Sequence, residues 1–191
     1  MRKLSVIAIV LLVLTLPALG QKIELGVSAG GYFPVNLSGV GNAVAVEGTF
    51  SYRLASVPTV AFYLDVPVVG TLNANVRHAG LLSSASYSAL FVAPGLKLKL
   101  LSGFPISPWL AAGGGLAHYS PSSGLRTATG SDSTNTGVVD FGGGIDSKVA
   151  PFLSLRGEVR DFYSGGLGFN LATFNQRQHN IVATGGVVLR F

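Results

Sequence analysis

The residues of this chain best equipped for chemistry crowd into one stretch: Asp140, Asp146, Arg156, Glu158 and Arg160. If Val149 and Leu153 pair across a tight turn, Asp146 faces Arg156, Gly144 faces Glu158 and Gly142 faces Arg160. Long charged side chains would then lie over glycines. Such a face can serve as a path for protons or ions, or as a salt-bridged plug that satisfies charge in a packed interior. The presence of both signs favours the plug. A second set is His118-Tyr119-Ser120. A nucleophilic serine needs a base within hydrogen-bond reach and a third group that orients that base. Residues two apart on a strand point the same way, and Asp132 supplies the acid only if its loop folds back. The plainer expectation, an interfacial histidine beside a tyrosine of a membrane girdle, is preferred. His78 and His179 lack partners at ligand spacing, so no metal site is expected. The glycine runs open no helix and precede no Lys-Ser/Thr, which excludes a phosphate loop. With no cysteine there is no thiol nucleophile and no disulfide framework. No catalytic residue, cofactor or metal ligand is assigned.

The elements that position these residues follow from an odd composition. The chain has 191 residues, 48% hydrophobic and only 11% charged, against roughly 25% charged in an average globular protein. Its mean hydropathy is +0.51, yet beyond the first twenty residues no apolar run approaches the ~18 residues of a spanning helix. Helices are further disfavoured by 26 glycines and 9 prolines. Helical membrane proteins, charge-rich disordered chains and ordinary α/β enzymes are thereby disfavoured. Residues 1–20 have the parts of a secretory signal peptide: Arg2 and Lys3, an apolar run from Leu4 to Leu16, Pro17, then Ala18-Leu19-Gly20. Residues 21–191 are expected as a single domain. It has no Lys/Arg cluster, so nucleic acid is not a partner.

Eight segments of that domain alternate apolar and polar residues with period two: 22–33, 44–54, 59–68, 90–100, 109–119, 139–148, 153–163 and 180–191. Every charged residue in them except Asp161 lies on the parity opposite the apolar row. Short links at 55–58, 102–107 and 150–152 alternate with longer ones at 34–42, 70–85, 120–136 and 164–178, rich in Ser, Gly, Asn and Thr. This pattern predicts an all-β, eight-stranded antiparallel up-and-down transmembrane β-barrel. Parity alone does not orient the wall, because a soluble lipocalin-like barrel reverses inside and outside. Three features favour the membrane. Gly26, Gly30, Gly95, Gly114, Gly142, Gly144 and Gly186 are expected to make room in a lumen just wide enough for side chains. Trp109 and Tyr119 share a parity ten residues apart, roughly 33 Å of strand or ~25 Å of membrane height, as two aromatic girdles would. The last strand ends in Phe191 on its apolar row. Lys22, Arg53, Lys97, Lys99, Lys148 and Arg190 gather near the periplasmic end, where they are expected as solvated ends clear of lipid.

The stretch Pro108–Tyr119, then Gly142–Asp146 with Leu153–Phe162, and the terminal Val187-Val188-Leu189-Arg190-Phe191 resemble the small outer-membrane β-barrel family, the OmpA/OmpX/OmpW-like group. The resemblance covers essentially all of residues 21–191. It implies insertion in the outer membrane of a Gram-negative-type bacterium among lipid and lipopolysaccharide, and recognition of Phe191 by the outer-membrane assembly machinery. Fold does not carry function, and no periplasmic peptidoglycan-binding domain is seen, so a tethering role is not implied. The functional expectation is a structural or surface-interaction role through the extracellular loops, without enzymatic chemistry and with an unidentified loop ligand. Two alternatives stand beside it. One is a narrow pore for small solutes or ions. The other is a lipid A-modifying barrel using His118 and Ser120, since lipid A deacylase barrels place a His and a Ser two apart on a strand; the residues around His118 do not otherwise match that family.

Overall fold

A computed structural model describes residues 22–35, 40–76, 85–122, 132–165 and 177–191. The described chain is almost wholly strand: β1 (Ile23–Val35), β2 (Ala43–Val57), β3 (Val60–Val76), β4 (Ala85–Val92), β5 (Gly95–Leu100), β6 (Ile106–Pro121), β7 (Thr134–Ala150), β8 (Leu153–Ser164) and β9 (Gln178–Arg190). Neighbours pair antiparallel throughout, and β1 pairs with both β2 and β9, which closes the sheet into a ring. The ring has eight staves because β4 and β5 are two halves of one, each bridging β3 to β6. The stave breaks at Ala93-Pro94, where proline offers no N–H to the ladder. Pro67 on β3 lies beside the break and is equally donorless. The loose ends are tied by the Ala93 N–H to the Pro67 carbonyl at 3.3 Å and the Gly114 N–H to the Pro94 carbonyl at 3.1 Å. At the seam the backbones of Ile23 and Phe191 exchange two hydrogen bonds, at 3.0 and 2.9 Å.

Alternation along the staves sets which side chains meet which medium. Leu25, Val27, Val46, Phe50, Leu64, Leu96, Leu110, Leu116, Phe141 and Val159 face outward, while Glu24, Asp65, Lys97, Asp146 and Arg160 are buried in the lumen. Leu110 is 64% exposed and Lys97 0%. A water-soluble barrel has the reverse arrangement. Lipid is the solvent in which an apolar wall around a charged interior is stable, so the barrel is a transmembrane one.

The stave β6 departs from expectation. Trp109 (2% exposed) and Tyr119 (0%) point into the lumen and are not girdle residues. Gly114 correspondingly faces outward, and Gly113 and Gly115 take the inward positions. This stave carries no charged residue to mark its lumen face, so its aromatics alone point to the wrong parity. The apolar band on its outer row runs instead from Ile106 to Leu116, again ten residues and so ~25 Å of height at the usual tilt. The lumen admits Trp109 because its cross-strand partner is Gly144.

Two further differences concern turns and loops. Ala150, not Val149, pairs with Leu153, and Val149 is the extra residue of a bulge between Lys148 and Ala150. Above the bulge the register is the anticipated one: Asp146 with Arg156, Gly144 with Glu158, Gly142 with Arg160. The staves also extend into segments expected as loops, since 70–76, 120–121, 134–136, 164 and 178 are strand. The remainders of the links at 70–85, 120–136 and 164–178 fall largely outside the described residues, as do residues 1–20 and His78.

Candidate functional site

The lower half of the lumen, towards the short turns, is an ion-pair lattice. Lys97 Nζ lies 3.2 Å from Glu24 Oε2 and 2.9 Å from Asp65 Oδ1, and donates to Ser51 Oγ at 2.6 Å. Lys99 Nζ bridges Glu24 (2.5 Å) and Asp146 (2.6 Å). Arg156 grips Asp146 in a fork, Nε to Oδ1 at 2.7 Å and Nη2 to Oδ2 at 3.0 Å. Arg160 spreads over four carboxylates: Asp65 at 2.6 Å, Asp140 at 2.7 Å, Glu47 at 3.3 Å and Glu158 at 3.4 Å. Trp109 is the apolar partner, with the guanidinium carbons of Arg156 and Arg160 5.0 and 5.2 Å from its ring centroid. Lys97, Lys99 and Arg190 are therefore buried lattice members, not the solvated strand ends anticipated, whereas Lys22 and Lys148 do lie exposed. Each cation is shared among carboxylates from different staves, so the lattice cross-braces the ring. Taking one member from such a buried set typically costs about 3–5 kcal/mol.

The upper half is filled by aromatics and amides. Phe91 stacks on Phe162 at 5.0 Å and meets Tyr119 edge-on at 5.8 Å. Tyr32 donates to Asn180 Oδ1 at 2.6 Å, Tyr119 and Ser164 share a 2.6 Å bond, and Asn180 donates to the Phe162 carbonyl at 2.7 Å. The lumen is thus occupied at two levels, ionic below and aromatic above.

The outer rim carries a different chemistry. On the outer row of β6 the aliphatics end at Leu116 and the next two side chains are His118 and Ser120. His118 Nε2 lies 3.0 Å from Ser120 Oγ, and His118 Nδ1 lies 2.7 Å from Oδ1 of Asn135, its cross-strand partner on β7. The spacing of His118 and Ser120 was legible; Asn135 was not, because the β6–β7 register depends on the length of the intervening loop. Further round the rim, Asp161 Oδ2 holds His179 Nδ1 at 2.5 Å, and His179 packs on Tyr163 with centroids 4.7 Å apart. That pairing accounts for Asp161, the one strand charge on the apolar parity. Between these sets lies a groove of about 440 Å³, lined by Thr136, Gly137, Val139, Tyr163 and Arg177 among others. Among the described residues no three His, Asp or Glu side chains converge as a metal-ligand set.

No protein-family model matches the sequence, and no curated protein matches it. Solved structures do. The outer membrane protein OprG of Pseudomonas aeruginosa superposes with a TM-score of 0.56 at 16% identity, over 90% of this chain and 98% of that one. Ail, the attachment invasion locus protein of Yersinia pestis, gives 0.54 at 13% identity over 90% and 97%. Neisserial surface protein A gives 0.53 at 16% identity over 90% and 97%. At such identities the likeness concerns the fold, and the chain has the fold of the small outer-membrane β-barrel proteins.

Proposed function

We propose that this protein is exported by the signal in residues 1–20, inserts through residues 21–191 into the outer membrane of a Gram-negative-type bacterium, and acts there at the cell surface. The barrel is an anchor closed to solutes, and contact with partners is made by its extracellular rim and loops. The observation that carries this is the filled lumen. A wall built to stand in lipid encloses a cross-braced ionic layer and an aromatic layer, which supports an anchor over the narrow-pore alternative. Function is therefore displaced to the surfaces that face out of the cell, where loops held by a rigid scaffold carry recognition. The similarity to Ail, an attachment protein whose structure was determined with a heparin analogue, supports a surface role of this kind. Lipid and lipopolysaccharide surround the apolar wall in this account, and the assembly machinery recognises the C-terminal Phe191. Trimming the links at 77–84, 123–131 and 166–176 tests the reading. Binding of cells bearing the protein to immobilised heparin should be lost while the barrel still shows heat-modifiable gel migration. Unchanged binding by the trimmed, folded barrel contradicts it.

A further inference from the structure

We propose that Ser120, His118 and Asn135 form a hydrolytic relay on the lipid-facing wall that cleaves a fatty-acyl ester of an anionic lipid in the surrounding leaflet. It rests on the membrane placement above and adds chemistry to the surface role.

The hydrogen bonds fix the tautomer. Asn135 Oδ1 only accepts, so the 2.7 Å contact makes His118 Nδ1 the protonated nitrogen. Nε2 is then left with a lone pair aimed at the Ser120 hydroxyl 3.0 Å away. Nucleophile, base and orienting group stand in hydrogen-bonded series, which is how such relays are recognised whatever the fold. Depth selects the substrate. Leu116 ends the apolar row of β6 and His118 is the next outward side chain, so the relay stands where acyl chains give way to headgroups, the level of a lipid's ester carbonyls. Access is lateral, from the leaflet. The adjoining groove of about 440 Å³ begins at Thr136 and Gly137, immediately beyond Asn135, and presents Tyr163 and Arg177. Gly137 has open space about it, and the Arg177 guanidinium provides a fork for a phosphate.

The chemistry balances with water alone. Ser120 Oγ bonds to the ester carbonyl carbon as its proton passes to His118 Nε2. The carbon–oxygen bond to the lipid backbone then breaks, and the departing oxygen takes that proton. Water attacks the acyl-serine, its proton passes through Nε2 back to Ser120 Oγ, and the fatty acid is released. Asn135 is a positioning residue.

The test uses the full chain refolded into vesicles of phosphatidylethanolamine and phosphatidylglycerol, with released fatty acid measured by mass spectrometry and Ser120 probed with a fluorophosphonate. Wild type should release fatty acid and be labelled. Ser120→Ala should lose both, a fall of about a thousand-fold or more. Asn135→Ala should slow release by about a hundred-fold, and Asn135→Asp should restore it. Arg177→Ala should slow cleavage of phosphatidylglycerol but not of phosphate-free diacylglycerol carried in the same vesicles; equal loss on both overturns the headgroup assignment. Release no greater than that of Ser120→Ala, with no labelling, overturns the relay. Heat-modifiable migration of each variant separates that failure from failure of the membrane placement.

Discussion

Gly144 shows how one position sets what the lumen can hold. It stands between Trp109 on β6 and Glu158 on β8, its two cross-strand partners, and a Cβ built there would press on the Trp109 ring and the Glu158 side chain. Gly144→Leu should therefore lower barrel stability by about 1–3 kcal/mol, read as a reduced urea midpoint in detergent. Gly48→Leu, on the outer row with nothing within 4 Å of its added Cβ, should leave the midpoint unchanged. Equal effects at the two positions would contradict the packing described. At this scale the sequence was legible where charge and glycine coincide: the Asp146–Arg156 pair follows from a register anchored at Val149 and Leu153, and the bulge at Val149 preserves it although Ala150 takes the turn pairing. Trp109 was not legible, because an isolated aromatic suits a membrane interface and a cation-lined interior equally well. Asn135 was hidden for another reason, since its partner is fixed by pairing across a loop whose geometry residue spacing does not give.

At the scale of the element, alternation determined seven of the eight staves, because each carries charged side chains that mark the lumen side. The stave β6 carries none, and small residues along its middle make its two faces alike in composition. Its orientation was settled by its neighbours, through Trp109 opposite Gly144 on β7 and Ala111 opposite Lys97 on β5. The chain has no native cysteine, so the parity can be read directly with nitroxide labels. Labels at Leu110→Cys, Ala112→Cys and Leu116→Cys should be highly accessible to oxygen dissolved in the lipid, and labels at Ala111→Cys and Ala117→Cys should be shielded. The opposite oscillation would restore the girdle assignment of Trp109 and Tyr119. The stave β4–β5 shows the same economy in another form. Pro94 interrupts its ladder, and the Ala93 N–H on the Pro67 carbonyl and the Gly114 N–H on the Pro94 carbonyl hold the halves in one wall.

For the whole molecule, the anomaly of a very hydrophobic, sparsely charged chain without spanning helices resolves into an inverted barrel whose few charges are concentrated inside. Shape was largely readable from period and parity, whereas which face meets lipid rested on the glycines of the lumen row and the terminal Phe191, the Trp109–Tyr119 pair pointing the wrong way. The ion-pair lattice of the lumen was readable only as a preference, since it depends on whether particular ions meet. They do: Arg160 reaches Asp65 from across the ring at 2.6 Å, and Lys99 links Glu24 to Asp146 at 2.5 and 2.6 Å. The upper aromatic layer is a second filling that no charge pattern announces. On the proposed reading, a lumen occupied at both levels places function on the outer surfaces, as contact by the loops and as chemistry at the rim. Planar-bilayer recording of the refolded chain, with insertion verified by heat-modifiable migration, tests that claim most directly. The account predicts a silent membrane at physiological salt, whereas steady ion-selective conductance steps from the wild-type protein would contradict it.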